Sequence, residues 1–219
     1  MGWPEACLVD VYDTLLRCDF LAHQAELPVL AGVPADSWQE AYRRIDQALN
    51  TGRISKTDGF AQILRENGVE PRADLVRALV DRDDELLLAT ARLFDDAIPF
   101  LERLRSQGIK VAIVSNCTAS TRPLLAELGV TALADALVLS CEVGVVKPQA
   151  EIFGCALERT GVAAADALFV DDQPGYCAGA VAAGIAAAQI VRGELDGREL
   201  AAGATVVRSL AEVEAMLSA

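Results

Sequence analysis

Short apolar runs alternate with amphipathic stretches from about residue 93 onward. The apolar runs are almost continuous, as in strands that are buried on both faces of a parallel sheet. With one further run near the start, the predicted strands are residues 6–9, 110–114, 136–139, 167–170, 186–191 and 205–207. Apolar positions at helical spacing, mostly followed by glycine, predict helices at residues 94–107, 118–128, 149–159, 175–183 and 210–217. This regular alternation predicts an α/β fold with a doubly wound parallel sheet and right-handed crossovers.

Residues 17–92 follow a different pattern, because no apolar run of strand character occurs there. Apolar residues instead recur at helical spacing, as in Trp38 and Tyr42. We therefore expect an all-helical subdomain that is inserted after the first strand and caps the strand ends. The predicted boundaries are 1–16 and 93–219 for the core and 17–92 for the cap.

The charge of the chain narrows its possible partners. The 219 residues carry a formal net charge of −13, and the isoelectric point is near 4.5. Nucleic acid and anionic membrane surfaces repel so acidic a protein, so we expect neither as a partner. A small anionic metabolite is compatible with it, provided that the site supplies local positive charge. The longest uncharged stretch, residues 176–191, is too short and too rich in small residues to span a bilayer.

Six cysteines are scattered along the chain without a C-x-x-C pair. Their spacing fits neither a zinc site nor a disulfide framework, so we expect reduced thiols and a cytoplasmic protein. Separately, we expect a monomer or homodimer. Cys117 follows the pair Ser115-Asn116, but no histidine lies nearby in the sequence to act as its base. We therefore interpret Cys117 as a small apolar residue. The single histidine, His23, is interpreted as an ordinary helix residue.

Polar residues cluster where the predicted strands end. Asp10 closes the first strand, and three further clusters follow in order: Ser115-Asn116, Lys147-Pro148 and Asp171-Asp172. The carboxyl ends of parallel strands lie at one edge of the sheet, so these side chains are expected to converge on one crevice. A crevice of this kind is where open α/β sheets bind their ligands.

These residue types suit an anionic substrate and a hard metal ion. Asp10, held at a strand tip, is a candidate nucleophile, and the Thr14 hydroxyl is placed to bond a carboxylate or a substrate oxygen. Ser115 offers a donor to an anion, and Lys147 offers a point charge. Mg²⁺ prefers carboxylate oxygens, and without a cation the clustered carboxylates would repel one another. The alternatives are structural: a Thr14 N-cap, a Ser115-Asn116 turn, a solvated Lys147 and an Asp172 helix cap.

The ordered set Asp10-x-x-x-Thr14, Ser115-Asn116, Lys147-Pro148 and Asp171-Asp172 resembles the haloacid dehalogenase-like hydrolase superfamily. The resemblance implies a Rossmann-like core, a helical cap and a covalent intermediate on Asp10. In the phosphatase branch, it implies that Mg²⁺ is held by Asp10, the Tyr12 carbonyl and Asp171, with Asp172 supporting the waters of the metal. The transferring phosphoryl group and the substrate would be bound by Ser115, Asn116 and Lys147.

The sequence departs from the phosphatase pattern beside the nucleophile. Tyr12 stands where a second aspartate usually acts as the general acid, and Asp13 stands where glycine is usual. Tyr176 also replaces a residue that is more often small or an amide. Tyrosine at position 12 resembles the 2-haloacid dehalogenases, whose leaving halide needs no proton. Loss of a general acid costs roughly 10²–10⁴ in rate, which is tolerable if the leaving group is acidic or if Tyr12 or a cap residue donates the proton.

Three functions are compatible with these residues. The paired carboxylates at 171 and 172 favour a Mg²⁺-dependent phosphatase of a small phosphorylated metabolite, because they would repel the substrate carboxylate and the halide of a dehalogenase. The alternatives are a metal-independent 2-haloacid dehalogenase, with Arg43 or Arg44 for the substrate carboxylate, and a catalytically weak member that only binds a ligand.

Overall fold

The computed structural model describes residues 4–194 and 197–218 and contains a six-stranded parallel sheet. The strands are β1 (Ala6–Val9), β2 (Leu16–Arg17), β3 (Arg92–Leu93), β4 (Lys110–Ser115), β5 (Ala136–Leu139), β6 (Ala167–Asp171), β7 (Ala186–Ile190) and β8 (Thr205–Val207). The strand order in the large sheet is β5-β4-β1-β6-β7-β8, whereas β2 and β3 form a separate antiparallel pair. The predicted α/β fold with a doubly wound parallel sheet is confirmed.

The register of the central strands aligns their carboxyl ends. Val9 of β1 is paired with Ile113 of β4 on one side and with Val170 of β6 on the other. The residues that follow these three positions therefore emerge at the same edge of the sheet. Asp10 and Asp171 are each one residue beyond such a paired position.

The helices are α1 (Phe20–Ala31), α2 (Ala35–Asn50), α3 (Lys56–Glu66), α4 (Ala73–Thr90), α5 (Ala97–Ser106), α6 (Thr121–Glu127), α7 (Ser140–Val143), α8 (Ala150–Thr160), α9 (Pro174–Ala182) and α10 (Leu210–Ser218). Helices α5 and α8 pack on the sheet in two separate apolar clusters, one on each face. On one face, Phe100 of α5 is 1% exposed in a cluster with Val111. On the other face, Phe153 of α8 meets Phe169 edge to face, with the ring centroids 5.2 Å apart. Burial of one such ring contributes about 1.5–3 kcal/mol, so these clusters hold the sheet between its helices.

Helices α1 to α4 follow one another between β2 and β3, and we call residues 18–91 the helical insert. The insert has its own apolar cluster, in which Trp38 and Phe60 pack with ring centroids 5.6 Å apart. The sequence predicts these helices but misses the β2–β3 pair, in which Leu16 lies opposite Leu93. A strand of two residues is too short to show an alternating pattern.

Two predicted helix starts are several residues early. Helix α5 begins at Ala97 rather than at residue 94, and α6 begins at Thr121 rather than at 118. The Phe94 backbone explains the first difference, because its N–H donates to Leu15 O at 3.0 Å and so extends the β2–β3 pairing before the helix begins. No helix among the described residues is long and apolar enough to cross a membrane.

Candidate active site

Asp10 lies at the carboxyl end of β1, in the middle of the sheet. Its backbone N–H donates to Val170 O at 2.9 Å, and its side chain is buried. The chain then turns tightly, and Asp13 adopts a left-handed backbone with φ of 57°. An L-residue pays roughly 1–2 kcal/mol for this conformation, which explains why glycine suits the position better than aspartate.

Lys147 is buried between two carboxylates. The residue is 2% exposed, and Nζ donates to Asp10 Oδ1 and to Asp171 Oδ2, both at 2.6 Å. Burial lowers the pKa of the ammonium group, but the two carboxylates raise it more, so the net shift is upward. Nζ also lies 4.9 Å from the centroid of the Tyr176 ring, in a cation–π contact. The site therefore holds a fixed positive charge inside an acidic protein.

The backbone around Lys147 is fixed from two sides. The Asn116 side chain accepts from Lys147 N at 2.7 Å and donates to Lys147 O at 3.0 Å. Helix α9 approaches from the other side, where a Cβ on Gly179 would lie 2.6 Å from Pro148 Cβ. Only glycine allows this approach, so both contacts set the position of the Lys147 ammonium group.

Three carboxylates form a possible metal site. One oxygen of each of Asp10, Asp171 and Asp172 lies within 4.8 Å of the other two. Burial, opposed by Lys147, raises the pKa of Asp171 to about 7. Burial and the charges of Asp10 and Asp13 raise the pKa of Asp172 to about 6. A hard divalent cation would relieve this repulsion, and an all-oxygen donor set is what Mg²⁺ prefers, so these residues fit it.

Asp172 does not cap the following helix. Helix α9 begins at Pro174, and the N–H of its N-cap residue Gln173 donates to Asp171 Oδ1 at 2.8 Å. The Asp172 carboxylate instead accepts from Gln173 Nε2 at 2.6 Å. The structural interpretation of Asp172 is therefore wrong, and its carboxylate stays beside the other two.

Two buried hydroxyl groups at this edge have no partner among the described residues. They are Thr14 Oγ1 and Ser115 Oγ, and both residues are fully buried. An unsatisfied buried hydroxyl costs about 1–3 kcal/mol. Thr14 does not begin a helix, which excludes the N-cap interpretation. Both hydroxyls are thus available to a bound ligand.

Arg192 binds the loop that carries Thr14, a role that the sequence does not predict. It donates to Thr14 O at 2.8 Å and to Asp96 Oδ1 at 2.8 Å, and it stacks on the Phe94 ring at 3.8 Å. A single arginine after a strand belongs to no recognisable pattern, so the sequence offers no signal for this role.

A cavity of about 510 Å³ separates the helical insert from this edge of the sheet. On the sheet side it is lined by Tyr12, Asn116 and Cys117. The Tyr12 hydroxyl pairs with Thr121 Oγ1 at 2.9 Å, and burial raises the tyrosine pKa, so the group keeps its proton at neutral pH.

His23 lies on the insert side of the cavity. Its side chain is buried, Nδ1 pairs with Asp83 Oδ1 at 2.8 Å, and Nε2 has no hydrogen-bond partner among the described residues. Burial lowers the pKa of His23, but Asp83 and the adjacent Cys18 raise it to about 9. His23 is helical as expected, and the structure adds that it is buried at the cavity and paired with a carboxylate.

Arg43 and Arg44, the two candidate ligands for a substrate carboxylate, have different surroundings. Arg43 lines the cavity, whereas Arg44 pairs at the surface with Glu40 and Glu66, both at 2.9 Å. Arg44 is therefore excluded as a ligand for a bound substrate.

The helical insert contacts the sheet domain directly beside the cavity. Lys56 Nζ donates to Ser120 Oγ at 2.7 Å and to Asp84 Oδ1 at 2.5 Å, so one hydroxyl of the sheet domain is held by the insert. At a second contact, a Cβ on Gly52 would lie 2.0 Å from Cys141 O. Gly52 also has φ of 65°, so glycine is required there for two reasons, the close approach to Cys141 and the left-handed backbone.

Comparison with known proteins assigns the family. The haloacid dehalogenase-like hydrolase family model matches residues 4–184. The chain belongs to this family. A curated relative, glyceraldehyde 3-phosphate phosphatase of Methanopyrus kandleri, is 32% identical over 203 residues, which cover 89% of this chain and 87% of the relative. The predicted family, hydrolase activity and Rossmann-like α/β fold are confirmed.

Solved structures of this family share the fold over nearly the whole chain. A phosphatase from Thermococcus onnurineus has a TM-score of 0.68 at 25% identity and covers 97% of both chains. The L-2-haloacid dehalogenase of Xanthobacter autotrophicus has a TM-score of 0.70 at 20% identity and covers 98% of both chains. Because both activities occur on one fold, the chemistry must be argued from the site.

Proposed function

We propose that this protein is a Mg²⁺-dependent phosphatase of a small phosphorylated metabolite, in which Asp10 is the nucleophile. The observation that carries the proposal is the polar cluster in which Lys147 bridges Asp10 and Asp171, with Asp172 beside them. The name of the Methanopyrus relative supports phosphoric monoester hydrolysis.

The metal would be held by Asp10, the Tyr12 carbonyl and Asp171, with Asp172 supporting its waters. Bound Mg²⁺ would offset the negative charge of the phosphoryl oxygens. Asp10 attacks phosphorus through a carboxylate oxygen, the bond to the leaving oxygen breaks, and water then hydrolyses the aspartyl phosphate.

The other side chains bind the phosphoryl group. Lys147 brings the positive charge that an acidic surface lacks, and the unpartnered hydroxyls of Thr14 and Ser115 donate to phosphoryl oxygens. Asn116 acts through Lys147, because both polar atoms of its side-chain amide bond the Lys147 backbone. The donors are fixed before substrate arrives, so little reorganisation is needed during the reaction.

The leaving group would occupy the cavity beneath the helical insert, which then acts as a cap. Its volume suits a small metabolite. His23 and Arg43 offer cationic donors at its wall, and the side chains of Gln24, Gln39 and Asn50 offer amides. The wall also carries apolar side chains, among them Leu27 and Trp38, so it suits a leaving group that has both polar and apolar parts.

Tyr12 occupies the position of the general acid. It keeps its proton at neutral pH, but a phenol with a raised pKa transfers that proton slowly. We therefore expect turnover to depend strongly on the acidity of the leaving group, with acyl and aryl phosphates cleaved faster than alkyl phosphates. A series of aryl phosphates of graded leaving-group pKa measures this dependence directly.

The decisive experiment is a panel that follows phosphate and chloride release, with Mg²⁺ and with EDTA. Phosphate release that requires Mg²⁺ and is lost in Asp10→Asn and Asp171→Asn supports the proposal. Asp166→Asn is the matched control, because this exposed carboxylate directly precedes the same strand, at the end opposite to Asp171. Chloride release from 2-chloropropionate that survives EDTA would instead establish the dehalogenase, which Tyr12 favours. Phosphate binding without any turnover would establish a binding protein.

A further inference from the structure

Cys117 and Cys141 lie side by side at the carboxyl edge of the sheet. Each is two residues beyond a registered pair, Ser115 of β4 and Leu139 of β5. Paired strands are about 4.8 Å apart, so the segment that follows β4 and the start of α7, which carries Cys141, leave the sheet next to each other. The Ser140 hydroxyl holds the two segments together, since it accepts from Cys117 N at 2.9 Å and donates to Cys117 O at 3.3 Å.

The two thiol groups also interact with each other. Their interaction lowers the pKa of Cys141 and, together with burial, raises that of Cys117. Burial and the charge of Glu142 raise the pKa of Cys141, and Arg122, which binds Glu142 at 2.5 Å and 2.7 Å, lowers it by less, so the net downward shift comes mainly from Cys117. Cys141 is half-buried and Cys117 is buried, so an oxidant in solution meets the more acidic thiol first.

This pairing is specific within the described part of the chain. Cys7 and Cys177 are buried in the apolar layers, Cys155 is half-buried on α8, and Cys18 bonds the Thr90 hydroxyl at 3.1 Å. None of these four has a described contact with another thiol.

We infer that Cys117 and Cys141 form a reversible redox site, which a peroxide converts to a disulfide. The Cys141 thiolate attacks one oxygen of hydrogen peroxide, the O–O bond breaks, and a sulfenic acid and hydroxide form; the hydroxide takes the proton that the thiol released. The Cys117 sulfur then displaces the sulfenic hydroxyl, giving the disulfide and a second water. Two thiols and one peroxide thus yield one disulfide and two waters.

The site lies where oxidation would alter catalysis, a consequence that rests on the proposed phosphatase activity. Cys117 lines the cavity and follows Asn116, whose side chain fixes the Lys147 backbone. Drawing the two sulfurs to bonding distance pulls on this segment and shifts the Lys147 ammonium group. A displacement of about 1 Å at a reacting centre costs on the order of 10²-fold in rate, so oxidation is expected to lower phosphatase activity 10- to 100-fold.

Peptide mapping of the peroxide-treated protein tests the site without any variant. The folded protein is treated with hydrogen peroxide, its remaining thiols are alkylated, and it is digested under non-reducing conditions. The expected result is one cross-linked peptide pair that joins Cys117 to Cys141, with four of the six thiols still free. Dithiothreitol should restore all six. A sulfinic acid on Cys141, or thiol loss spread evenly over the cysteines, would overturn the inference.

Activity measurements separate this inference from the proposed function. Cys141→Ser should resist inactivation by peroxide, whereas the wild type and Cys155→Ser should lose activity and regain it with dithiothreitol. Cys155 is the matched control because it is also half-buried but has no described thiol contact. If no phosphatase activity exists, the peptide map still decides the redox site. If Mg²⁺-dependent activity exists and no cross-link forms, the redox site alone fails.

Discussion

Replacing Lys147 with methionine tests the electrostatics on which the site depends. Methionine has nearly the same length but no charge, so Lys147→Met leaves Asp10 and Asp171 buried without their shared cation. Their nearest oxygens lie within 4.8 Å. Two unit charges at that distance repel by about 3.5 kcal/mol at an effective dielectric constant of 20.

Removal of one partner from a buried ion pair typically costs about 3–5 kcal/mol, which agrees with this repulsion. We therefore expect the free energy of unfolding of Lys147→Met to be lower than that of the wild type by about this amount, at pH 8 in EDTA. The difference should shrink toward pH 5, because protonation of either carboxylate removes the repulsion. It should also shrink in Mg²⁺, which supplies a cation to the same oxygens. Phosphate release should fall about 10²–10³-fold because a donor to the phosphoryl oxygens is lost.

Urea unfolding followed by far-ultraviolet circular dichroism measures these differences. Lys110→Met is the control, because Lys110 is exposed and its ion pair with Asp135 spans 3.3 Å. A surface pair of this kind contributes at most about 1 kcal/mol. A loss below about 1 kcal/mol for Lys147→Met in EDTA, or a loss that grows toward acid pH, would refute the electrostatic argument.

Three further predictions concern packing and charge elsewhere. Gly179→Ala should lower both stability and activity, because its Cβ would lie 2.6 Å from Pro148 Cβ and displace the chain beside Lys147. Gly154→Ala is its counterpart on α8, where a Cβ meets nothing within 4 Å, and it should raise the free energy of unfolding by roughly 1 kcal/mol. The charge on His23 should stabilise the fold below pH 6.5 and lose its contribution as pH rises through about 9, since folding raises its pKa from 6.5 to about 9. The difference in unfolding free energy between the wild type and His23→Gln should therefore fall by up to about 3 kcal/mol over that range, and a constant difference would contradict the assignment.

The sequence determined the sheet and the place of the site within it. Strands buried on both faces of a parallel sheet must be continuously apolar, so β1, β4 and β6 can be predicted from the sequence alone. Parallel strands align their carboxyl ends, so the polar residues that follow them share one edge. Both inferences rest on local patterns that the backbone itself imposes.

Only the tertiary structure decided which groups touch. The pairing of His23 with Asp83, the support of Thr14 by Arg192 and the contact between Cys117 and Cys141 all join residues that are distant in the chain. Contacts of this kind have no period and no fixed spacing, because they depend on how distant elements pack within the helical insert and within the sheet domain. The β2–β3 pair was not predicted, because strands of two residues are too short to show an alternating pattern. Local periodicity therefore specified the framework, and packing specified the partners of each polar group.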